Sequence, residues 1–194
     1  MLNEARRGLI YNNLLAIFLV FFATFLNGKP IPFIGNMVWL QIGVILLMYL
    51  LMTHRVFLGC FLGVQVSAVW LWNWEVFLFS NFIIVFISTI SPLIAISLMK
   101  FFKLSSFFDS GKLVFQHLIF LAIFTAICNT FLKFLSYSYF EADPSNLSFD
   151  ALLFIERYFL GDLFGCLFVL FFATSIVVPF IKFLLPKLAP SKSV

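Results

Sequence analysis

Charge is scarce in this chain of 194 residues: Lys, Arg, Asp and Glu together make up 10%, against roughly 25% in soluble domains. No stretch of ordinary polarity offsets the deficit, because mean hydropathy over the whole chain is +1.13. A water-soluble enzyme and a nucleic-acid reader are excluded on that ground. Histidine is nearly absent, present only as His54 and His117, and no His-x-x-x-His or Glu-x-x-His spacing supplies a metal site. The three cysteines, Cys60, Cys128 and Cys166, lie singly in apolar runs without a Cys-x-x-Cys pair. They read as small buried hydrophobes, and a disulfide-stapled secreted module is excluded. No Gly-x-Ser occurs, and Ser110-Gly111-Lys112 lacks the upstream glycine of a phosphate loop. The sequence therefore predicts a non-enzymatic protein with no cofactor and no metal.

What the chain has instead is apolar length, with 63% hydrophobic residues. A helix needs about 20 apolar residues to cross the hydrocarbon core of a bilayer. Six segments approach that length: 9–26, 37–53, 56–73, 76–99, 113–134 and 151–185. The predicted fold is an all-α polytopic bundle of about six transmembrane helices. It forms one domain over residues 1–194 in contact with membrane lipid, with no soluble output domain. The last segment exceeds a single perpendicular crossing, so Asp150 to Tyr158 is expected to lie along the interface. Residues 100–112 and 135–150 read as the longer loops, the second marked by Pro144 and three acids.

Positive residues set the expected orientation. With a cytoplasmic N-terminus, nine (Arg6, Arg7, Arg55, Lys100, Lys103, Lys112, Lys182, Lys187, Lys192) fall on the cytoplasmic side and three (Lys29, Lys133, Arg157) opposite. Trp39, Trp70, Trp72 and Trp74 all fall at the outer interface, where amphipathic rings are favoured. Both signals predict a multi-pass bacterial inner-membrane protein with both termini in the cytoplasm. Arg6-Arg7 before an apolar run imitates an export signal, but the run is about 18 residues long and no small-x-small site follows. It reads as a retained first helix.

Polar residues inside a bilayer must find a partner or a cavity. Asn81, Ser88, Ser91 and Ala95 share one stripe around Pro92, and Ala122, Ala126, Asn129 and Lys133 share another. Either stripe serves helix contact or lines a cavity. Counting about 1.5 Å per residue back from Lys182 puts Asp162 near the outer boundary. Lys133, Arg157 or a polar ligand would partner it. Gln41, Asn81, Asn129, Lys133, Arg157 and Asp162 all project into the outer half, which suggests an outward-opening pocket, with Trp39 at its rim. The pairs Gly59/Gly63 and Gly161/Gly165 each form a Gly-x-x-x-Gly ridge, suited to packing within the bundle or to a homodimer.

Two stretches carry a resemblance. Residues 38–63, VWLQIGVILLMYLLMTHRVFLGCFLG, and 157–170, RYFLGDLFGCLFVL, resemble the membrane-associated sensor domains of the MASE type. Trp39, Gly43, Gly161, Asp162 and Gly165 match that family's Trp-x-x-x-Gly and late Gly-Asp-x-x-Gly. The resemblance implies a membrane-embedded domain that binds a small ligand and signals through a cytoplasmic or membrane partner such as a histidine kinase or diguanylate cyclase. The architecture alone is also similar to the substrate-binding component of energy-coupling factor transporters, which implies vitamin capture and docking to an ATPase. A structural accessory subunit of a membrane complex is the third expectation.

Overall fold

The computed structural model describes residues 2–29, 36–75, 78–104, 115–140 and 150–177. Among the described residues six α-helices follow one another: α1 (Leu2–Asn27), α2 (Leu40–Met52), α3 (Phe57–Trp72), α4 (Phe79–Phe101), α5 (Phe115–Phe140) and α6 (Ala151–Phe172). A five-residue π turn, Ala173–Val177, continues α6. No strand occurs among the described residues. Five of their segments are long and apolar enough to cross a membrane: Arg7–Asn27, Leu40–Trp72, Phe79–Phe101, Phe115–Phe140 and Ala151–Ile176. The chain is an all-helical, multi-pass membrane protein.

The second of those segments is folded back on itself. Its 33 residues would reach about 50 Å as one straight helix. Yet the rings of Trp39 and Trp72, at its two ends, stand 5.7 Å apart. The reversal occurs at the 3₁₀ turn Thr53–Val56, entered through Thr53 at φ 63°, a costly conformation for a β-branched residue. α2 and α3 form a hairpin with α1 laid against both. The Asn13 side chain ties α1 to the turn, donating to Arg55 O at 3.2 Å and accepting from Gly59 N at 2.7 Å.

The helices close a ring in the order α1, α3, α4, α5, α6, α2, and α2 also touches α4. α2 is the most enclosed element, burying Ile42, Ile45, Leu46, Met48 and Tyr49. Pro92 interrupts the hydrogen bonding of α4. One turn nearer the start of that helix, Thr89 O accepts from the Tyr49 hydroxyl at 3.0 Å, which ties α2 to α4 beside the proline. Large apolar side chains cover the outside of α1, with Ile10, Phe18 and Phe25 each about 60% exposed.

Both glycine ridges pack inside the bundle. Gly59 and Gly63 of α3 lie against Asn13, Ile17 and Val20 of α1. On α6, Gly165 lies against the backbone of Trp39 and Gly161 against that of Asn36, while Gly43 of α2 faces the Gly165 carbonyl. The Trp39 amide donates to Gly161 O at 2.8 Å. Backbone meets backbone here, so no side chain can yield.

Three expectations need correcting or lie elsewhere. Asp150 to Tyr158 does not form a separate interfacial piece, because α6 is continuous from Ala151, capped by Asp150 Oδ1 accepting from Leu153 N at 3.0 Å. Phe154 in that stretch is fully buried among the rings of Phe134, Tyr137 and Tyr158. The expected loop at 135–150 starts later, since α5 runs to Phe140 with rings that continue the packing. Residues 105–112 of the other loop, residues 141–149, and Lys182, Lys187 and Lys192 lie outside the described residues.

The glycine crossing gives a paired prediction. Gly165→Ala forces a methyl into the Trp39 backbone and is expected to cost at least about 2 kcal/mol, the scale of an overpacked core. Gly8→Ala, with open space around it, leaves stability unchanged or slightly raised. Thermal unfolding in detergent, read side by side, checks both.

Candidate functional site

Where α2, α4, α5 and α6 converge at the tryptophan end, the bundle leaves a cavity of about 300 Å³, within the range of small-molecule sites. Exposed Lys29 stands at its mouth, and Ser80 and Asn81 lie on the first turn of α4. Trp39, Trp72 and Trp74 form an aromatic wall, with ring centroids 5.7 and 5.1 Å apart. Val64, Ile84 and Val85 supply apolar surface, and Gln41, Ser88, Lys133 and Asp162 supply polarity.

The polar handles of the indoles are already engaged. Trp39 Nε1 donates to Gln41 Oε1 at 3.1 Å, and Trp72 Nε1 donates to Gly28 O at 3.2 Å. Trp39 and Trp72 therefore have their N–H donors turned to the protein rather than to the cavity. Gln41 is the junction of this wall with α1. Its Nε2 donates to Thr24 Oγ1 at 2.6 Å, Thr24 Oγ1 donates to Val20 O at 2.7 Å, and the Gln41 amide donates to Asn27 Oδ1 at 3.2 Å. All of Gln41 and Thr24 is withdrawn from solvent, so this chain fixes the cavity wall to the first helix.

Lys133 and Asp162 bring opposite charges into the cavity from α5 and α6. Both side chains are almost wholly buried, at 6% and 1% exposure. Asp162 Oδ2 accepts from Asn129 Nδ2 at 2.6 Å. The Lys133 ammonium lies over the Tyr158 ring, 5.4 Å from its centroid, a cation–π arrangement. The two charges interact electrostatically. Neither closes a direct ion pair with the other among the described residues; each leans on its own neighbour.

The candidate site residues named from sequence separate into three groups. Trp39, Gln41, Asn81, Lys133 and Asp162 line the cavity. Asn129 stands behind it and holds the Asp162 carboxylate; its own Oδ1 is buried without a hydrogen-bond partner. Arg157 is not among the lining residues; its guanidinium reaches Met37 Sδ at 2.7 Å. Arg157 lies five residues before Asp162 on α6, more than a full turn away, which directs it toward the chain before α2.

Trp72, Trp74, Tyr137 and Tyr158 belong to the wall and were not singled out as ligand contacts. Trp72 and Trp74 were legible only as interface aromatics. Trp72 is 5% exposed and Trp70 is 76% exposed, so only the latter matches the picture of a ring at the bilayer surface. Among the described residues there is no cluster of His, Cys, Asp and Glu suited to a metal ion.

No protein-family model matches the chain. No curated protein and no solved structure matches it either.

The Gln41 junction makes a testable unit. Gln41→Leu leaves the buried Trp39 indole N–H without its acceptor and removes the donor to Thr24 Oγ1, which keeps its own bond to Val20 O. It should lower stability by about 1–2 kcal/mol and shift tryptophan emission, because Trp39 loses its acceptor. Thermal unfolding and steady-state fluorescence together check it; an unchanged spectrum would show that the bond does not form.

Proposed function

We propose that this protein is a membrane-embedded, non-enzymatic ligand-binding domain of the sensory kind, with the cavity as its binding site. The single observation that carries the reading is the pair of buried opposite charges, Lys133 and Asp162, facing one aromatic-walled cavity. Purely structural packing would close such a gap, because charges buried without ideal partners are costly. A ligand with matching groups completes their solvation.

The hairpin supports a topology of six crossings, with α2 and α3 counted as two short ones beside α1, α4, α5 and α6. Both termini then lie on the side of Arg55, and the cavity opens on the tryptophan side. The balance of positive residues makes the Arg55 side cytoplasmic in a bacterial inner membrane.

The sensory reading is supported by how the resemblance to MASE-type domains converges in space. Trp39 and Gly43 on one side and Gly161, Asp162 and Gly165 on the other meet at a single crossing of α2 and α6. The crossing forms one wall of the cavity, so an occupant that moves α2 against α6 would alter the helix ends that a separate signalling partner reads. The transporter-component reading finds less support. The small residues of α1, Ala16 and Ala23, are buried at 0% and 4% exposure, and large side chains cover its outer face where an ATPase module would dock.

The test is recovery of a bound small molecule. Wild-type protein extracted in a mild detergent, denatured and analysed by mass spectrometry, should release a compound. A Ser88→Phe variant, whose ring fills the cavity from α4, should release none while remaining folded. No compound from the wild type, or the same compound from both proteins, contradicts the proposal.

A further inference from the structure

Resting on that reading of the cavity, we infer that its ligand is a small zwitterion of amino-acid size, with its carboxylate at Lys133 and its ammonium at Asp162, beside the tryptophan wall. Three independent features of the cavity lead there.

The first is charge balance. The two buried ionic groups of the wall, Lys133 and Asp162, sum to zero. The remaining cation, Lys29, is exposed at the mouth in contact with water, where its field is screened. A monoanion would satisfy Lys133 but bring like charge toward Asp162, and a monocation would do the reverse. In a water-poor wall, either mismatch costs more than the matched half returns. Only a molecule carrying both charges leaves neither end unmatched.

The second is how each charge is held. Asp162 is oriented by Asn129 at 2.6 Å, and Lys133 rests on the face of Tyr158 at 5.4 Å. The two form no direct ion pair among the described residues, and both line the cavity. A carboxylate has capacity beyond one amide donor, and an ammonium has three donors. Both groups can therefore take a ligand without releasing the neighbour that positions them.

The third is the surface next to Asp162. The Trp39 amide is bonded to Gly161 O, one residue before Asp162, so the carboxylate and the Trp39–Trp72 ring pair belong to the same helix crossing. With their N–H groups spent on Gln41 and Gly28, these rings have no donor left for a carboxylate at that end of the cavity. A ligand carboxylate is therefore left to Lys133, and the aromatic end favours an ammonium over an anion. The cavity's volume of about 300 Å³ is ample for one amino acid.

The experiment compares three ligands on one skeleton, on the wild-type full-length chain in lipid nanodiscs, so it does not depend on any variant folding. Each standard amino acid is titrated beside its des-amino acid and its decarboxylated amine, with ligand-induced thermal stabilisation as the readout. At least one amino acid should bind roughly tenfold or more tighter than both of its counterparts, the effect of losing one buried charged partner. Lys133→Met should then erase the preference over the amine, and Asp162→Asn the preference over the acid. If a des-amino acid or an amine binds as tightly as its amino acid, the ligand class is wrong. If no amino acid binds while the wild type still releases a compound that Ser88→Phe does not, the class is wrong and the pocket reading stands. If no amino acid binds and no compound is recovered, both fall.

Discussion

Lys133 and Asp162 carry full charges into a helix bundle almost devoid of others, and the surrounding structure is organised around making that tolerable. Each is almost wholly buried, and an unpaired charge in such a setting costs several kcal/mol or more. The protein does not neutralise them by direct contact. It fixes Asp162 with Asn129, lays Lys133 across Tyr158, and leaves a cavity between the two helices. On the proposed reading, a ligand in that space completes the solvation of the pair.

The geometry that keeps the cavity open depends on the crossing of α2 and α6. Gly43 and Gly165 let the two backbones touch, and Trp39 N to Gly161 O locks their register. Because Asp162 lies between Gly161 and Gly165, that register also sets where the carboxylate points. The same crossing orients Trp39, whose indole is then tied through Gln41 and Thr24 to α1. Packing, hydrogen bonding and charge placement are therefore one arrangement.

Much of this was legible in the residues. Apolar length located the apolar helical segments, five of which among the described residues are long and apolar enough to cross a membrane, and the rarity of polar groups made Gln41, Asn81, Asn129, Lys133, Arg157 and Asp162 stand out as a set at one depth. Their convergence is a consequence of depth, since groups at the same level of a small bundle have few places to go. Arg157 broke the pattern because depth says nothing about rotation: its position on α6 points it toward Met37. The aromatic wall stayed hidden for a similar reason. A tryptophan near a helix end has the same sequence signature whether it faces lipid or folds inward, and only the α2–α3 hairpin puts Trp72 against Trp39. The end of α5 was misjudged because Ser136 to Phe140 look polar and aromatic enough for a loop. Their rings instead extend the contact with α4 and α6.

The central claim is that a polar cavity opens from the tryptophan side of the membrane down to the buried charge pair. Ser88 lies in its wall, 3% exposed, and Ser88→Cys changes that wall by one atom. In a background with Cys60, Cys128 and Cys166 replaced, sealed vesicles of known orientation would be treated with a small charged thiol reagent from one side at a time. The account predicts labelling of Cys at position 88 from the tryptophan side alone. Labelling from the opposite side, or from neither, would contradict it.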